Sequence, residues 1–208
     1  MKKSVFSFTN RITLSIIGTV IIATGIALFK LSNLGIDPAT AANIGISEKL
    51  NMNLGNYQLI FNLLLFLIIF MINRTFFGIG TIINMTFPGY IIDFIDMKFS
   101  QFNVHVSLFS MQALLFLVSI LLFSLGISIY THADIGVSPY DAVALVLENY
   151  SISYRVSRSI QDILFVSIAF LFGGPIGVGT IIIALGSGIF IHFWRNLLKN
   201  IHEKERKY

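Results

Sequence analysis

Six stretches of this chain stay apolar for about the length of a bilayer-crossing helix, and this limits the available folds more than any other feature. A hydrocarbon core about 30 Å thick takes ~20 residues of helix, with a range of ~17 to 25. Only helices and closed barrels satisfy their backbone groups there. The stretches are residues 12–31, 56–72, 76–95, 106–130, 160–172 and 176–193. The fifth is short, reaching spanning length only if its helix starts near Tyr154, and it ends at the breaker Gly173-Gly174-Pro175. Charged residues make up 12% of the chain, against roughly 25% in soluble domains. Hydrophobic residues make up 55%, more than a soluble domain of 208 residues can bury. A disulfide scaffold is excluded because the chain has no Cys. The expectation is an all-α integral membrane protein, residues 1–208 forming one membrane domain in a lipid bilayer.

The net charge of +4 does not point to nucleic acid, because the basic residues sit at the ends of the apolar stretches. Lys2, Lys3 and Arg11 precede the first, and Arg195, Lys199, Lys204, Arg206 and Lys207 follow the last. With six spans and both termini inside, these eight join Arg74, Arg155 and Arg158 on the cytoplasmic side, leaving Lys30, Lys49 and Lys98 outside. Eleven against three is the bias the positive-inside rule describes. A plasma-membrane protein with cytoplasmic N- and C-termini and a basic tail over residues 198–208 is expected. Lys30, at the end of the first span, is expected to snorkel. The first span is too long for a signal-peptide core and lacks a small-x-small cleavage site, so it reads as retained.

The chain repeats itself. Gly25-Ile-Ala-Leu-Phe-Lys-Leu-Ser-Asn-Leu-Gly35-Ile-Asp-Pro38 returns as Gly126-Ile-Ser-Ile-Tyr-Thr-His-Ala-Asp-Ile-Gly136-Val-Ser-Pro139. Gly78-Ile-Gly80-Thr81-Ile-Ile returns as Gly177-Val-Gly179-Thr180-Ile-Ile, and 8 of the 17 positions from 78 to 94 are identical there. Apolar composition alone gives chance Ile and Leu matches, but not Gly, Pro and Thr in register. Two repeats, residues 12–97 and 106–197, each hold three spans. Three is odd, so the second lies inverted in the membrane, a plan that recurs in secondary transporters.

Each repeat carries a helix break, Gly35-Ile36-Asp37-Pro38 or Gly136-Val137-Ser138-Pro139. Gly ends a helix in a left-handed conformation, Asp or Ser caps the next, and Pro suits its first turn. A short helix is expected after each, to about Leu50 and Tyr150. A helix N-terminus at a membrane break suits a polar ligand, although an ordinary interfacial corner has the same sequence. Gly78, Gly80, Thr81 and Gly177, Gly179, Thr180 lack the strand–turn–helix setting of a nucleotide loop, so they read as packing positions.

Polar side chains inside the spans are few: Gln58, Asn62, Asn84, Gln112, Gln161 and Asp162. Arg158 and Asp162 lie one turn apart and can pair, either as a functional group or as an interfacial anchor. Asp141 follows the Ser138 cap, where a carboxylate also suits the positive helix end. The candidate substrate-binding set is Ser138, Asp141, Arg158 and Asp162, with Asp37, Thr40 and Asn62 from the first repeat. His105, His132, His192 and His202 have no zinc spacing. No nucleophile–base set is legible, and neither metal, cofactor nor enzymatic activity is expected.

Ser138-Pro139-Tyr140-Asp141, then Arg158 and Asp162, then Gly173-Gly174-Pro175-Ile176-Gly177-Val178-Gly179-Thr180 resembles the YczE/YyaS/YitT-type family of small bacterial multi-spanning membrane proteins. The likeness runs from about Ile16 to Phe193 and implies a plasma-membrane protein without supplying a substrate. Where the family's first half carries a similar Ser-Pro-Trp-Asp, this chain has Asp37-Pro38-Ala39-Thr40, which argues against two equivalent corners. Two functions fit: a small transporter or exporter, forming a homodimer, or an accessory protein of a membrane-bound biosynthetic system. Polar groups converging inside would favour the first, and polar groups on a partner-facing surface the second. A lipid-modifying enzyme would gather its titratable groups at one leaflet depth, whereas the acids here fall on both sides.

Overall fold

The computed structural model describes residues 7–205, which leaves Lys2, Lys3, Arg206 and Lys207 outside. The described chain is helical throughout: α1 (Phe8–Ser32), α2 (Pro38–Lys49), α3 (Leu54–Ile72), α4 (Ile79–Gln101), α5 (Phe109–His132), α6 (Pro139–Glu148), α7 (Tyr154–Phe172) and α8 (Val178–Glu205). A 3-10 turn, Arg74–Phe76, separates α3 from α4, so α4 begins three residues later than the third apolar stretch. Most of the basic 198–208 segment continues α8 as helix. Four helices, α1, α3, α5 and α8 (to Lys199), are long and apolar enough to cross a membrane. Helices α4 and α7 have comparable length but carry three charges each: Asp93, Asp96 and Lys98, and Arg155, Arg158 and Asp162.

The centre is an antiparallel pair, α1 against α5. Arg11 meets the far end of α5, its Nε donating to the Ala133 carbonyl at 2.6 Å. Higher up α1, a Cβ on Gly18 would lie 2.7 Å from the Tyr130 nitrogen, and one on Gly25 2.9 Å from the Phe123 nitrogen. Lipid offers helices no hydrophobic drive to associate, so close backbone approach over small residues supplies the dispersion energy. Phe29 fills the space beyond, its ring 5.2 Å from Phe116 and 5.9 Å from Phe123.

Helix α4 runs parallel to α1: Thr19 donates to Asn84 at 3.1 Å, and further along Lys30 bonds Asp96 at 2.6 Å. Lys30 is thereby ion-paired with α4, which ends beside α1 and presents an acid there. Helix α8 flanks α5, with Ser128 donating to the Ile191 carbonyl at 3.1 Å. The remaining helices exchange partners between the halves: α2 packs on α7, and α6 on α3.

The exterior is apolar on every long helix. Leu64 and Ile68 on α3, Leu117 on α5, Ile163 and Leu171 on α7, and Leu185 on α8 are all exposed. In water such a surface would be an aggregation liability, whereas in a bilayer it is the solvated face.

Candidate functional site

Both helix breaks form as their sequences dictate. Gly35 and Gly136 take φ of +107° and +116°, a region a side chain would strain. The Asp37 carboxylate then accepts from the Thr40 N–H at 3.0 Å, and the Ser138 hydroxyl from the Asp141 N–H at 3.1 Å. Pro38 and Pro139 occupy the first turns.

What holds each break is the Gly-x-Gly-Thr stretch of the opposite half. The Gly179 N–H donates to the Leu34 carbonyl at 2.7 Å, and the Gly80 N–H to the Ile135 carbonyl at 2.9 Å. Thr180 and Thr81 cap their own helices by accepting from Gly177 N–H at 3.2 Å and Gly78 N–H at 3.1 Å. A Cβ on Gly35 would fall 2.5 Å from Thr180 Oγ1, and one on Gly136 2.5 Å from Thr81 Oγ1. All six motif positions therefore serve packing, across halves and not within them.

The two junctions differ in chemistry. Where α6 meets α3 the filling is apolar, with Ala142, Val146 and Ile69 buried against Phe77. Where α2 and α6 meet α7 it is polar and charged. Asp141, in the first turn of α6, accepts from Arg158 Nη1 at 2.7 Å, from Ser138 Oγ at 2.8 Å and from the Tyr130 hydroxyl. The Arg158 guanidinium lies over the Tyr140 ring, 4.5 Å from its centroid, and its Nε is 3.6 Å from Asp162. Asp162 also accepts from the Tyr140 hydroxyl at 3.0 Å. Asp37 is buried within electrostatic reach of Arg158, Asp162 and Tyr140. Thr40 is buried beside it on α2.

Six of the seven candidate binding residues thus converge on one junction that both halves build. Asn62 stands apart, its amide donating to the Met85 carbonyl of α4 at 3.5 Å. With α3 and α7 both 19 residues long and starting 100 positions apart, Asn62 and Gln58 occupy the places of Asp162 and Arg158. The first half therefore has amides where the second has an ion pair. Asp141 proves the nearer partner of Arg158, a contact between helices that one-turn spacing cannot reveal.

Sequence reasoning missed Tyr130, Tyr140 and Ser157 as members of the junction, and noted Gln161 only as a polar residue in a span. Ser157 and Gln161 are one turn apart, on the stripe beside Arg158 and Asp162, and both are buried. That pairing of adjacent polar stripes was the available signal. The Gln161 amide nitrogen donates to the Tyr140 carbonyl at 2.9 Å. A half-open cavity of about 500 Å³ lies elsewhere, at the second break, lined by Phe76, Phe77, Thr131, Asp134 and Val137 among others. It includes no member of the Arg158 cluster, and its one carboxylate, Asp134, is exposed and paired with Arg11 at 3.2 Å. No set of three His, Cys, Asp or Glu side chains among the described residues could hold a metal ion.

Helices with lipid-facing exteriors, locked together by glycine contacts around a buried charged cluster, define an all-helical membrane protein. The chain belongs to DUF6198, a family of unknown function whose model matches residues 9–196. It is similar to the uncharacterized membrane protein YczE of Bacillus subtilis, 26% identical over 181 residues, covering 85% of this chain and 81% of that one. YyaS of the same organism is 24% identical over 184 residues, covering 88% and 91%. An uncharacterized protein of Haemophilus influenzae is 26% identical over 182 residues, covering 87% and 81%. No solved structure matches.

Proposed function

We propose that this protein is a small secondary transporter or exporter of the plasma membrane, built from two inverted three-span repeats, with the α2–α6–α7 junction as its substrate site. The observation that carries the reading is the convergence of Asp37, Asp141, Arg158 and Asp162, drawn from both halves, on one largely buried place. Buried charges are costly and are kept in membranes mostly where solutes, ions or protons move. An accessory protein would have shown its polar groups to a partner surface instead. The reading involves no catalytic step.

The exchanged contacts support inversion: each break is gripped by the other half's Gly-x-Gly-Thr, as two units related by an in-plane axis would do. Helices α4 and α7 count as spans in this reading because their outer faces are apolar and exposed, with Ile82 and Phe94 on one and Ile163 and Phe170 on the other. Six spans return both termini to the cytoplasm. The exposed face of α8, where Gly186 and Gly188 meet nothing within 4 Å, is where a second copy would pack to form the homodimer.

The test uses Asp141→Asn and Asp162→Asn, which keep shape while removing charge. Cells lacking the protein are compared with overproducers by metabolite profiling, and each variant is scored for restoring the profile at equal membrane level. At least one variant should fail. Full restoration by both would remove the site and favour the accessory role.

A further inference from the structure

The substrate class of this junction can be read from what its groups lack. Among the described side chains, three carboxyl groups, Asp37, Asp141 and Asp162, stand against one guanidinium, Arg158. That guanidinium is already engaged by two of them and by the Tyr140 ring. An anionic solute would find that guanidinium already committed to acids.

Among the described residues, three buried oxygens at this junction lack a partner: Asp37 Oδ1 and Gln161 Oε1, which accept, and Ser157 Oγ, which can also donate. Their residues are 8%, 7% and 1% exposed, so water does not serve them from bulk. The amide orientation of Gln161 is fixed by chemistry. Its partner, the Tyr140 carbonyl, can only accept, so the nitrogen must face that carbonyl and the oxygen must be left over. Likewise Asp37 spends Oδ2 on the Thr40 N–H and keeps Oδ1 bare. Buried acceptors without donors are uncommon in folded proteins and call for a missing partner.

We infer that the junction binds a small monovalent cation, an ammonium-type solute or an alkali ion, on Asp37 Oδ1 with Gln161 and Ser157 as further oxygen ligands. Either supplies positive charge to the bare Asp37 and Gln161 oxygens, and ammonium adds N–H donors. One carboxylate oxygen with an amide and a hydroxyl oxygen offers a single negative charge, which suits a monovalent ion better than a divalent one. The inference rests on the transport reading only for its purpose, because binding itself is measurable without flux.

The experiment uses the full chain in lipid nanodiscs and a hydrophobic carbodiimide, which modifies buried protonated carboxyls. Modification of Asp37 is followed by mass spectrometry in sodium, ammonium or methylammonium chloride. N-methyl-D-glucamine chloride at the same ionic strength is the reference. At least one of the three probes should slow Asp37 modification fivefold or more. Protection by sodium alone identifies an alkali site, and stronger protection by ammonium or methylammonium an amine site. Ser157→Ala and Gln161→Met should each raise the half-protecting concentration threefold or more, and Ser157→Ala guards against misfolding of the larger change. Equal rates in all salts would mean that protons alone satisfy the carboxyls, and would overturn the inference. So would an Asp37 that never reacts, since it would already be neutralised by Arg158. Protection without any change in cellular solute levels would leave the cation site and remove transport, while solute changes without protection would do the reverse.

Discussion

Replacing Arg158 with Gln tests the cluster most directly, because this one side chain of α7 holds two residues of the first turn of α6. The change removes a charge-assisted bond to Asp141 at 2.7 Å, of a kind worth about 1.5–3 kcal/mol. It also removes a guanidinium 4.5 Å from the Tyr140 ring, worth roughly 0.5–2 kcal/mol. The contact to Asp162 at 3.6 Å adds about 0–1 kcal/mol. The side chains are 30%, 24% and 12% exposed, so water softens each loss, and the lower half of these ranges applies. A total near 3 kcal/mol results. At roughly 2–4 °C per kcal/mol for a chain of this size, the melting temperature should fall by about 6–12 °C. The assay is thermal unfolding of the purified protein in one detergent, alongside Asp141→Asn and the double variant. Because Asp141 is stranded once Arg158 is gone, the double variant should lose about 1.5–2 kcal/mol less than the sum of the singles. A fall under about 2 °C for Arg158→Gln, with additive singles, would refute the buried cluster.

Three further outcomes follow from the fold. Glu48→Cys, exposed at the end of α2, should react with an impermeant maleimide from outside, and Glu148→Cys, exposed at the end of α6, only after permeabilisation; reaction from one side for both would end the inverted-repeat reading. Gly18→Leu should abolish folded protein on size-exclusion chromatography, since its Cβ alone meets α5 backbone at 2.7 Å. Lys30→Gln should lower the melting temperature by less than about 4 °C, because its pair with Asp96 is 38% and 23% exposed and worth about 0–1 kcal/mol.

The sequence alone determined the membrane class, the helix breaks and their caps. These depend on local physics: runs of apolar residues fix the solvent, and Gly-x-Asp-Pro and Gly-x-Ser-Pro fix left-handed turns and N-caps over a few residues. It also carries Gly, Pro and Thr in matching register about a hundred positions apart, which apolarity alone does not produce. Tertiary structure decided which half each motif serves. Thr180 and Thr81 look like packing residues of their own helices, yet each lies against the break of the other half, because an exchange of partners leaves no trace in one chain's order. The same exchange brought Asp37 from the first half to Arg158 and Asp162 in the second, across more than a hundred residues. It left the opposite junction, Ala142 and Val146 against Ile69, without a charge. Helical periodicity can say that Arg158 and Asp162 share a face, but only packing could make Asp141 the closer partner and leave Asp37, Ser157 and Gln161 with bare oxygens beside it.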